Sequence, residues 1–310
     1  MAAENVQAQD RSQVQSETLI PEGWLAERPP TRNRTWLRFR RHRLALLGSA
    51  IIILLILMAI SAPLIVKNDP YTVQLSQIKK PPNDVYPLGG DTAGRDVWSR
   101  LVYASRISLS VGIVAVSIYI AIATILGSIA GYYGGNVDTV IMRLTDIVMC
   151  FPDLIIIITV VAFIGPSIYN VMLAIGLLGW PGTARLVRGQ FLSLREKEFV
   201  EAAHCLGVPT ARIVFRHILP NVVPYLIIVA TLGTAGAILT EAGLSFLGLG
   251  VQPPTPSWGN MLNSAQNLTT LERYPHLWVP PGLMIAITVL AINFIGDGLR
   301  DALDPKQVIK

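Results

Sequence analysis

Two carboxylates that fall inside long apolar runs are the residues whose type and position point most directly to chemistry. Asp153 follows Pro152 in one such run, and Glu241 lies near the end of another. An ionisable group inside a membrane is costly and is a functional candidate by default. We therefore predict that Asp153 and Glu241 line or gate a path for a charged solute, with an ion pair to a partner chain as the alternative for Glu241. Asp146 is predicted to pair with nearby charges, such as Arg143, close to the cytoplasmic face.

The motifs of catalysis and cofactor binding are absent from the sequence. It contains no GxxxxGK[ST] phosphate loop, no GxSxG elbow, no HExxH helix and no CxxC pair. The four histidines are scattered, and the two cysteines, Cys150 and Cys205, are predicted to lie in a membrane span and in a cytoplasmic loop, where a disulfide is not expected. We therefore predict a chain that is not an enzyme and that holds no metal or cofactor of its own.

The composition places these residues in a membrane protein. The chain of 310 residues is 52% hydrophobic and only 15% charged, with a mean hydropathy of +0.50, whereas soluble domains average about 25% charged residues. At 1.5 Å per residue the first apolar run is about 34 Å long, enough to cross a hydrocarbon core of roughly 30 Å. We predict an all-α integral membrane protein with six transmembrane helices, at residues 44–66, 107–131, 140–164, 167–190, 217–243 and 278–300.

The distribution of basic residues predicts the orientation of these spans. An arginine cluster within residues 32–43 directly precedes the first span, and such a cluster fixes a cytoplasmic end more often than it binds nucleic acid. Residues 1–43 and 301–310 are then cytoplasmic tails, residues 67–106 an external loop, and residues 107–300 a five-helix core. Seven of the 25 basic residues fall outside, which favours this topology, and the first run is too long for a signal peptide.

Charges of alternating sign end the external loop. They are Asp91, Arg95, Asp96, Arg100 and Arg106, all within a short stretch beside the membrane. Two interpretations stay open from the sequence. The charges either tie the loop together or receive the charged surface of a soluble partner.

A cytoplasmic loop at residues 191–217 is too polar to span the membrane and too regular to be a plain linker. Phe199, Ala202, Ala203 and Leu206 recur at three- and four-residue spacing, which predicts one apolar face of a short helix. Gly207 is predicted to end that helix in a left-handed conformation. The pattern alone fits equally a docking surface for another protein and a helix lying at the lipid interface.

The same loop carries a resemblance that separates the two interpretations. Glu201-Ala202-Ala203, followed by Gly207 and Pro220, resembles the EAA signature of binding-protein-dependent ABC importer permeases. In that family the loop is a coupling helix seated in a groove of the ATPase subunit. The resemblance implies that Glu201, Ala202, Ala203 and Gly207 make this contact, together with Phe199 and Leu206 of the predicted apolar face.

The likeness extends over nearly the whole chain, to the C-type permease of dipeptide and oligopeptide importers. It is carried by the segments PLGGDTAGRDVWSRLVYASRISLSVG, GYYGGNVDTVIMRLTDIVMCFPDL, LSFLGLGVQPPTPSWGNML and GDGLRDALDP. The chain departs from the family at Gly90, where many relatives have Thr, and at Ala104, where Gly is usual. Both positions keep a small residue, and the assignment stands.

The resemblance implies the following assembly, all of it an expectation. The chain pairs with a B-type permease, two ABC ATPase subunits that bind ATP and Mg, and an external solute-binding protein, in the bacterial inner membrane with both termini cytoplasmic. Di- or oligopeptides are the expected solute, with nickel, glutathione or another small solute as alternatives. An ATP-independent secondary transporter or channel is the rival class, which internal inverted repeats would favour, and no convincing repeat is present.

The topology predicts how two introduced cysteines react, in a background lacking Cys150 and Cys205. In intact cells an impermeant thiol reagent should label Asn83→Cys from outside and leave Glu196→Cys unlabelled, because the two loops lie on opposite sides of the membrane. Labelling of both positions from the same side contradicts the topology.

Overall fold

The computed structural model describes residues 32–303, with side chains from residue 36. The predicted tails at residues 1–31 and 304–310 lie outside the described residues. The described chain is mainly helical. In chain order the helices are α1 (Arg32–Arg41), α2 (Arg43–Ile60), α3 (Ala62–Ile65), α4 (Val97–Tyr133), α5 (Gly135–Met149), α6 (Asp153–Ile164), α7 (Ile168–Leu178), α8 (Trp180–Arg195), α9 (Glu198–Cys205), α10 (Thr210–Arg212), α11 (Leu219–Phe246), α12 (Trp258–Leu262), α13 (Leu268–Arg273) and α14 (Val279–Leu303).

Four described helices are long and apolar enough to cross a membrane without a break. They are Arg43–Ile60, Val97–Tyr133, Thr210–Phe246 and Val279–Leu303, and a bent pair, α5 with α6, brings the number to five. The predicted span 167–190 is divided between α7 and α8, and its second half carries arginines. The all-α membrane fold is confirmed, whereas the count of six spans stays a prediction.

The predicted basic tail ends in a helix, which the sequence pattern did not indicate. The rings of Trp36 and Phe39 in α1 stack at 6.1 Å. Phe39 packs beside Gly298 of α14, and His42 caps α2 by accepting a hydrogen bond from the Ala45 amide at 3.1 Å. Helix α1 is thus fixed against the end of α14 by contacts that are distant in sequence.

Helix α4 is the centre of the bundle. It packs against α2, α5, α7, α8 and α11. At 1.5 Å per residue its 37 residues extend about 55 Å, so that both ends project beyond a hydrocarbon core of roughly 30 Å. It begins at Val97, ten residues before the predicted start of the span, and Asp96 caps it by accepting a hydrogen bond from the Trp98 amide at 3.1 Å.

Glycines bring α4 and α8 into close contact. A methyl group added at Gly127 would lie 2.6 Å from the carbonyl oxygen of Ala184, and one at Gly131 would lie 2.5 Å from the Cβ of Phe191. Apolar burial does not drive helices together in lipid, so association depends on such close packing. The two glycines, which are spaced as a small-xxx-small pair, therefore hold α4 and α8 together.

Two pairs of helices are interrupted at prolines. Helices α5 and α6 meet at 79°, because Pro152 disfavours the helical conformation of the residue before it. Helices α7 and α8 meet at Gly179, two residues before Pro181, which cannot donate the hydrogen bond of a continuous helix. Both bends are of the kind that membrane bundles tolerate where neighbouring groups satisfy the backbone.

The close contact of α4 and α8 predicts opposite effects for two Gly→Ala substitutions. Gly131→Ala should lower the melting temperature of the purified protein in detergent, because overpacking of this kind costs about 1–3 kcal/mol. Gly189→Ala on α8 should be neutral or mildly stabilising, since no atom lies within 4 Å of the added methyl group. Equal melting temperatures for the two variants would show that the contact does not hold the helices together.

Candidate coupling surface and path

The predicted helix of the cytoplasmic loop is α9, and Gly207 ends it. The φ angle of Gly207 is +71°, the left-handed conformation that the sequence predicted. The Val208 amide donates to the carbonyl of Ala203 at 3.1 Å, and the Gly207 amide donates to that of His204 at 2.9 Å. This pair of hydrogen bonds is a Schellman motif, which satisfies the last carbonyls of the helix.

The apolar residues of α9 lie on two faces instead of the one predicted. Phe199 is 43% and Leu206 83% exposed, and Ala202 and Glu201 are also exposed. Ala203 faces inward and is only 5% exposed. The prediction that Ala203 shares the outer face with the other three is wrong, because its spacing also fits the inner face, where the bundle lies.

The inner face of α9 rests on a buried apolar cluster. Val200, which the sequence analysis did not single out, is fully buried with Ala203. They pack with residues of α8, of the turn before α11 and of α11 itself: Val187, Phe191, Ile213, Ile218, Val222 and Leu226. Helix α9 is therefore held as part of the bundle, with Phe199, Ala202 and Leu206 left as an exposed apolar surface. We call these three residues with Glu201 the coupling surface.

The end of α4 also contacts the coupling helix. The hydroxyl of Tyr132 lies 3.4 Å from His204 Nε2, and the two rings stack at 6.4 Å. Arg195, at the end of α8, donates to the carbonyls of Gly131 at 3.3 Å and Tyr132 at 3.4 Å. These contacts join α9 to the α4–α8 pair as one unit.

The chain leaves the coupling helix through a wide helical turn. A helix resumes at Thr210, directly after Pro209, and a π-helical turn at Ile213–Ile218 leads without interruption into α11. Pro220 stands at the start of α11, where its missing amide cannot support an ordinary turn. A π-helical turn accommodates such a position, so that α9 is connected directly to a spanning helix.

Ion pairs fasten α5 to α8. Arg188 contacts both carboxylate oxygens of Asp138, and Arg185 donates to Asp146 at 2.6 Å. Asp146 is thus paired, although with an arginine of α8 and not with Arg143. A bidentate arginine–carboxylate pair is geometrically specific, so α5 is fixed to the same helix that carries α9.

A cavity of about 430 Å3 lies where the two interrupted helix pairs meet. Phe151, Pro152 and Asp153 line one side, and Gly179, Pro181, Gly182 and Thr183 line the other with Met149 and Leu178. Asp153 is exposed in the first turn of α6, where a carboxylate also stabilises the helix dipole. The cavity therefore combines an apolar wall with one negative charge.

Glu241 does not line this cavity. It is completely buried, and its Oε1 accepts a hydrogen bond from Ser245 Oγ at 2.7 Å. Its part in a path or gate stays a prediction, and the structure places it inside the packing of this chain.

The sequence matches two family profiles. Residues 123–309 match the family described as the binding-protein-dependent transport system inner membrane component, and residues 32–82 match the N-terminal transmembrane domain of oligopeptide transport permease C. The first match covers more than half of the chain. The chain belongs to this permease family. The family is a transport component and not an enzyme, and among residues 32–303 no group of three His, Cys, Asp or Glu could hold a metal ion.

Several named relatives resemble the permease over most of their length. The dipeptide transport system permease protein DppC of Alkalihalophilus pseudofirmus is 44% identical over 87% of this chain and 88% of its own. The oligopeptide transport system permease protein OppC of Bacillus subtilis is 42% identical over 87% and 88%. The glutathione transport system permease protein GsiD of Escherichia coli is 44% identical over 87% and 89%.

A solved structure shares the fold. A chain of the MetNI methionine ABC transporter, described as inward facing, superposes with a TM-score of 0.53 at 18% identity, covering 66% of the permease and 96% of that chain. The permease is therefore a multi-pass inner-membrane protein with an ABC-transporter permease fold.

The cap of α9 predicts a difference between two substitutions at Gly207. Nothing lies within 4 Å of an added Cβ, so backbone conformation alone decides the cost. Gly207→Val should cost roughly 1–2 kcal/mol and lower the yield of complex with the ATPase subunits, while insertion into the membrane is retained. Asn tolerates this conformation, so Gly207→Asn should assemble nearly as wild type. The cap assignment fails if Gly207→Val recovers as much ATPase subunit as wild type does.

Proposed function

We propose that the permease forms half of the translocation path of an ABC importer for di- and oligopeptides. It takes its driving force from an ATPase subunit through the coupling surface. The single observation that carries this proposal is an exposed apolar surface on a short helix that is otherwise packed into the bundle. Phe199, Ala202 and Leu206 lie on that surface, and Ala203 supports it from the inner face.

A docking role explains this arrangement better than a lipid-facing role does. An interfacial helix has basic residues on its polar face and large apolar residues on the other. Helix α9 has acidic residues at Glu198 and Glu201 in its first turn, and the small Ala202 on the exposed surface that carries its two large apolar side chains. Such a surface fits closely into a groove of another protein.

Asp153 is the residue of the path that we propose meets the solute. A peptide with a free amino terminus carries a positive charge, and Asp153 presents a negative one in a cavity of about 430 Å3. The cavity lies where α8 begins, so a displacement of α9 at the other end of α8 is transmitted to it. Alternating access then proceeds by movement of packed helices about these breaks.

The proposed assembly is a heterodimer with a second permease, two ATPase subunits that bind ATP and Mg, and an external solute-binding protein. The coupling surface and both termini of the chain are cytoplasmic. Peptide is the proposed solute because relatives named for dipeptide and oligopeptide transport are 42–44% identical. Glutathione, itself a small peptide, is the second candidate because the GsiD relative is 44% identical.

Truncation of the coupling surface tests the docking role. Leu206→Ala should lower ATP hydrolysis stimulated by the loaded binding protein by roughly tenfold or more, because buried apolar anchors contribute at least about 1–2 kcal/mol to an interface. Leu54→Ala, a truncation of a 66% exposed leucine in α2, is the control and should leave stimulation unchanged. Equal stimulation of the two variants and wild type in reconstituted vesicles would refute the docking role.

The solute is tested with the same vesicles. Uptake of labelled dipeptides and oligopeptides should depend on ATP and on the binding protein, and Asp153→Asn should reduce it, with less effect on peptides whose amino terminus is acetylated. Saturable uptake of glutathione with no uptake of other peptides would establish the second candidate instead.

A further inference from the structure

A polar pocket lies at the end of α4 opposite to the coupling helix. Residues 79–100 contribute one wall and residues 253–277 the other, and they enclose about 390 Å3. Arg100 of this pocket lies in the first turn of α4, whereas Tyr132 in its last turn contacts the coupling helix. Roughly 50 Å of helix separates these two residues, more than the roughly 30 Å of a hydrocarbon core. The pocket and the coupling surface therefore lie on opposite sides of the membrane.

The walls of the pocket are fixed to α4. The indole of the fully buried Trp258 donates to the carbonyl of Leu101 at 3.3 Å, and its amide donates to Ser108 Oγ at 3.2 Å. The guanidinium of Arg100 donates to the carbonyls of Pro70 at 3.3 Å and Pro254 at 3.2 Å, and so bridges the two walls. The pocket is thus preformed.

The charges that line the pocket do not balance. Among the described residues, Asp91 is the only carboxylate that lines the pocket, and Lys79, Arg95 and Arg100 are the lining cations. Asp91 accepts hydrogen bonds from the amides of Ala93 and Arg95 and from Arg95 Nε at 2.8 Å, and it lies 3.4 Å from Arg100 Nε. These contacts use nearly all the acceptor positions of a carboxylate. The lining therefore keeps a net charge of +2.

Apart from Asp91, the groups that Arg100 and Lys79 contact are neutral. Arg100 is 3% exposed and meets two backbone carbonyls besides Asp91. The ammonium of Lys79 lies 5.3 Å from the ring centroid of Tyr274, and no carboxylate of the described residues lies within 4.0 Å of it. Arg100 is buried, and Lys79 and Arg95 are half-buried. An excess of positive charge that is partly removed from water is unfavourable unless an anion compensates it. The pocket can therefore bind a further carboxylate in addition to Asp91.

We propose that this pocket receives an acidic side chain of the solute-binding protein. The inference rests on the proposed function, which supplies such a partner on the outer side. The hydroxyl of Thr92 and the side-chain amide of Asn267 also line the pocket, and Asn267 uses its Oδ1 as the acceptor for the Thr269 and Thr270 amides. The Thr92 O–H and the Asn267 N–H groups can donate hydrogen bonds to the second oxygen of a carboxylate. One acidic residue inserted here fixes the orientation of the binding protein over the path, since charge complementarity sets register and association rate.

The charged loop at residues 91–106 thus has both of the roles that its sequence left open. Asp91 with the two arginines ties the loop together, and the positive charge left over receives the partner. Arg106 is exposed and does not line the pocket.

The test uses the whole transporter in lipid nanodiscs with its cognate loaded binding protein. The half-saturating concentration of binding protein is measured from stimulated ATP hydrolysis for Lys79→Gln, Arg95→Gln and Arg273→Gln. Arg273 is exposed in α13, outside the pocket, and provides the same charge change as a control. We expect increases of about five- to tenfold for the pocket variants, an unchanged maximal rate, and less than about a twofold change for Arg273→Gln. Arg100 is not substituted because it holds the walls together.

Three outcomes would overturn the inference. The first is pocket variants that match Arg273→Gln while wild type is stimulated normally. The second is an effect that disappears when the cargo peptide has an amidated carboxyl terminus, which would assign the pocket to the cargo. The third outcome concerns the salt dependence of the half-saturating concentration of binding protein, measured between ionic strengths of about 0.05 and 0.5 M. The inference fails if this dependence is no steeper for wild type than for Lys79→Gln. Absence of any stimulation of wild type would instead contradict the proposed function itself.

Discussion

The close contact between α4 and α8 is the constraint on which the rest of the molecule depends. Gly127 and Gly131 leave no room for a side chain against α8. In lipid, where apolar surface alone does not bring helices together, this closeness supplies the packing and fixes the register of the two helices. Arg195 adds hydrogen bonds to the last carbonyls of α4, so the cytoplasmic ends of the two helices are tied as well.

This constraint holds α8 in place between the cavity of Asp153 and α9. Its first turn lines the cavity that contains Asp153, and its last turn leads into the coupling helix. At 1.5 Å per residue its 16 residues extend about 24 Å. The ion pairs of Asp138 and Asp146 bring α5 along with it. Under the proposed function, a displacement of α9 would reach the helix breaks through α8.

The features that the sequence predicted well are those decided by local chemistry. Long apolar runs predicted the spanning helices α4, α11 and α14, because a helix must have a minimum apolar length to cross the bilayer core. Gly207 was identified because few other residues adopt its conformation. Prolines act in the same local way, and the helices break at Pro152 and near Pro181 because a proline disfavours a continuous helix.

The features that the sequence did not predict depend on contacts distant along the chain. The spacing of Ala203 fits two helix faces equally well, and only the packing of Val200 against α8 decides between them. Asp146 has several possible partners within its own segment, and the fold brings Arg185 to it instead. Asp153 was a candidate only because an ionisable group inside a membrane is costly. Its cavity could not be predicted, because it forms where two separate helix breaks meet. The outer pocket could not be predicted, because its walls come from two segments that are more than 150 residues apart.

Site-specific photo-crosslinking in the assembled transporter tests the central claim most directly. A photoreactive amino acid is placed in turn at positions 206, 199 and 268, which leaves Cys150 and Cys205 unchanged. We expect positions 206 and 199 to crosslink to an ATPase subunit, with a yield that changes when ATP is added, and position 268 to give no such product. An intact complex in which position 206 crosslinks only to lipid would contradict the account, because α9 would then lie on the membrane and not in a groove of the ATPase.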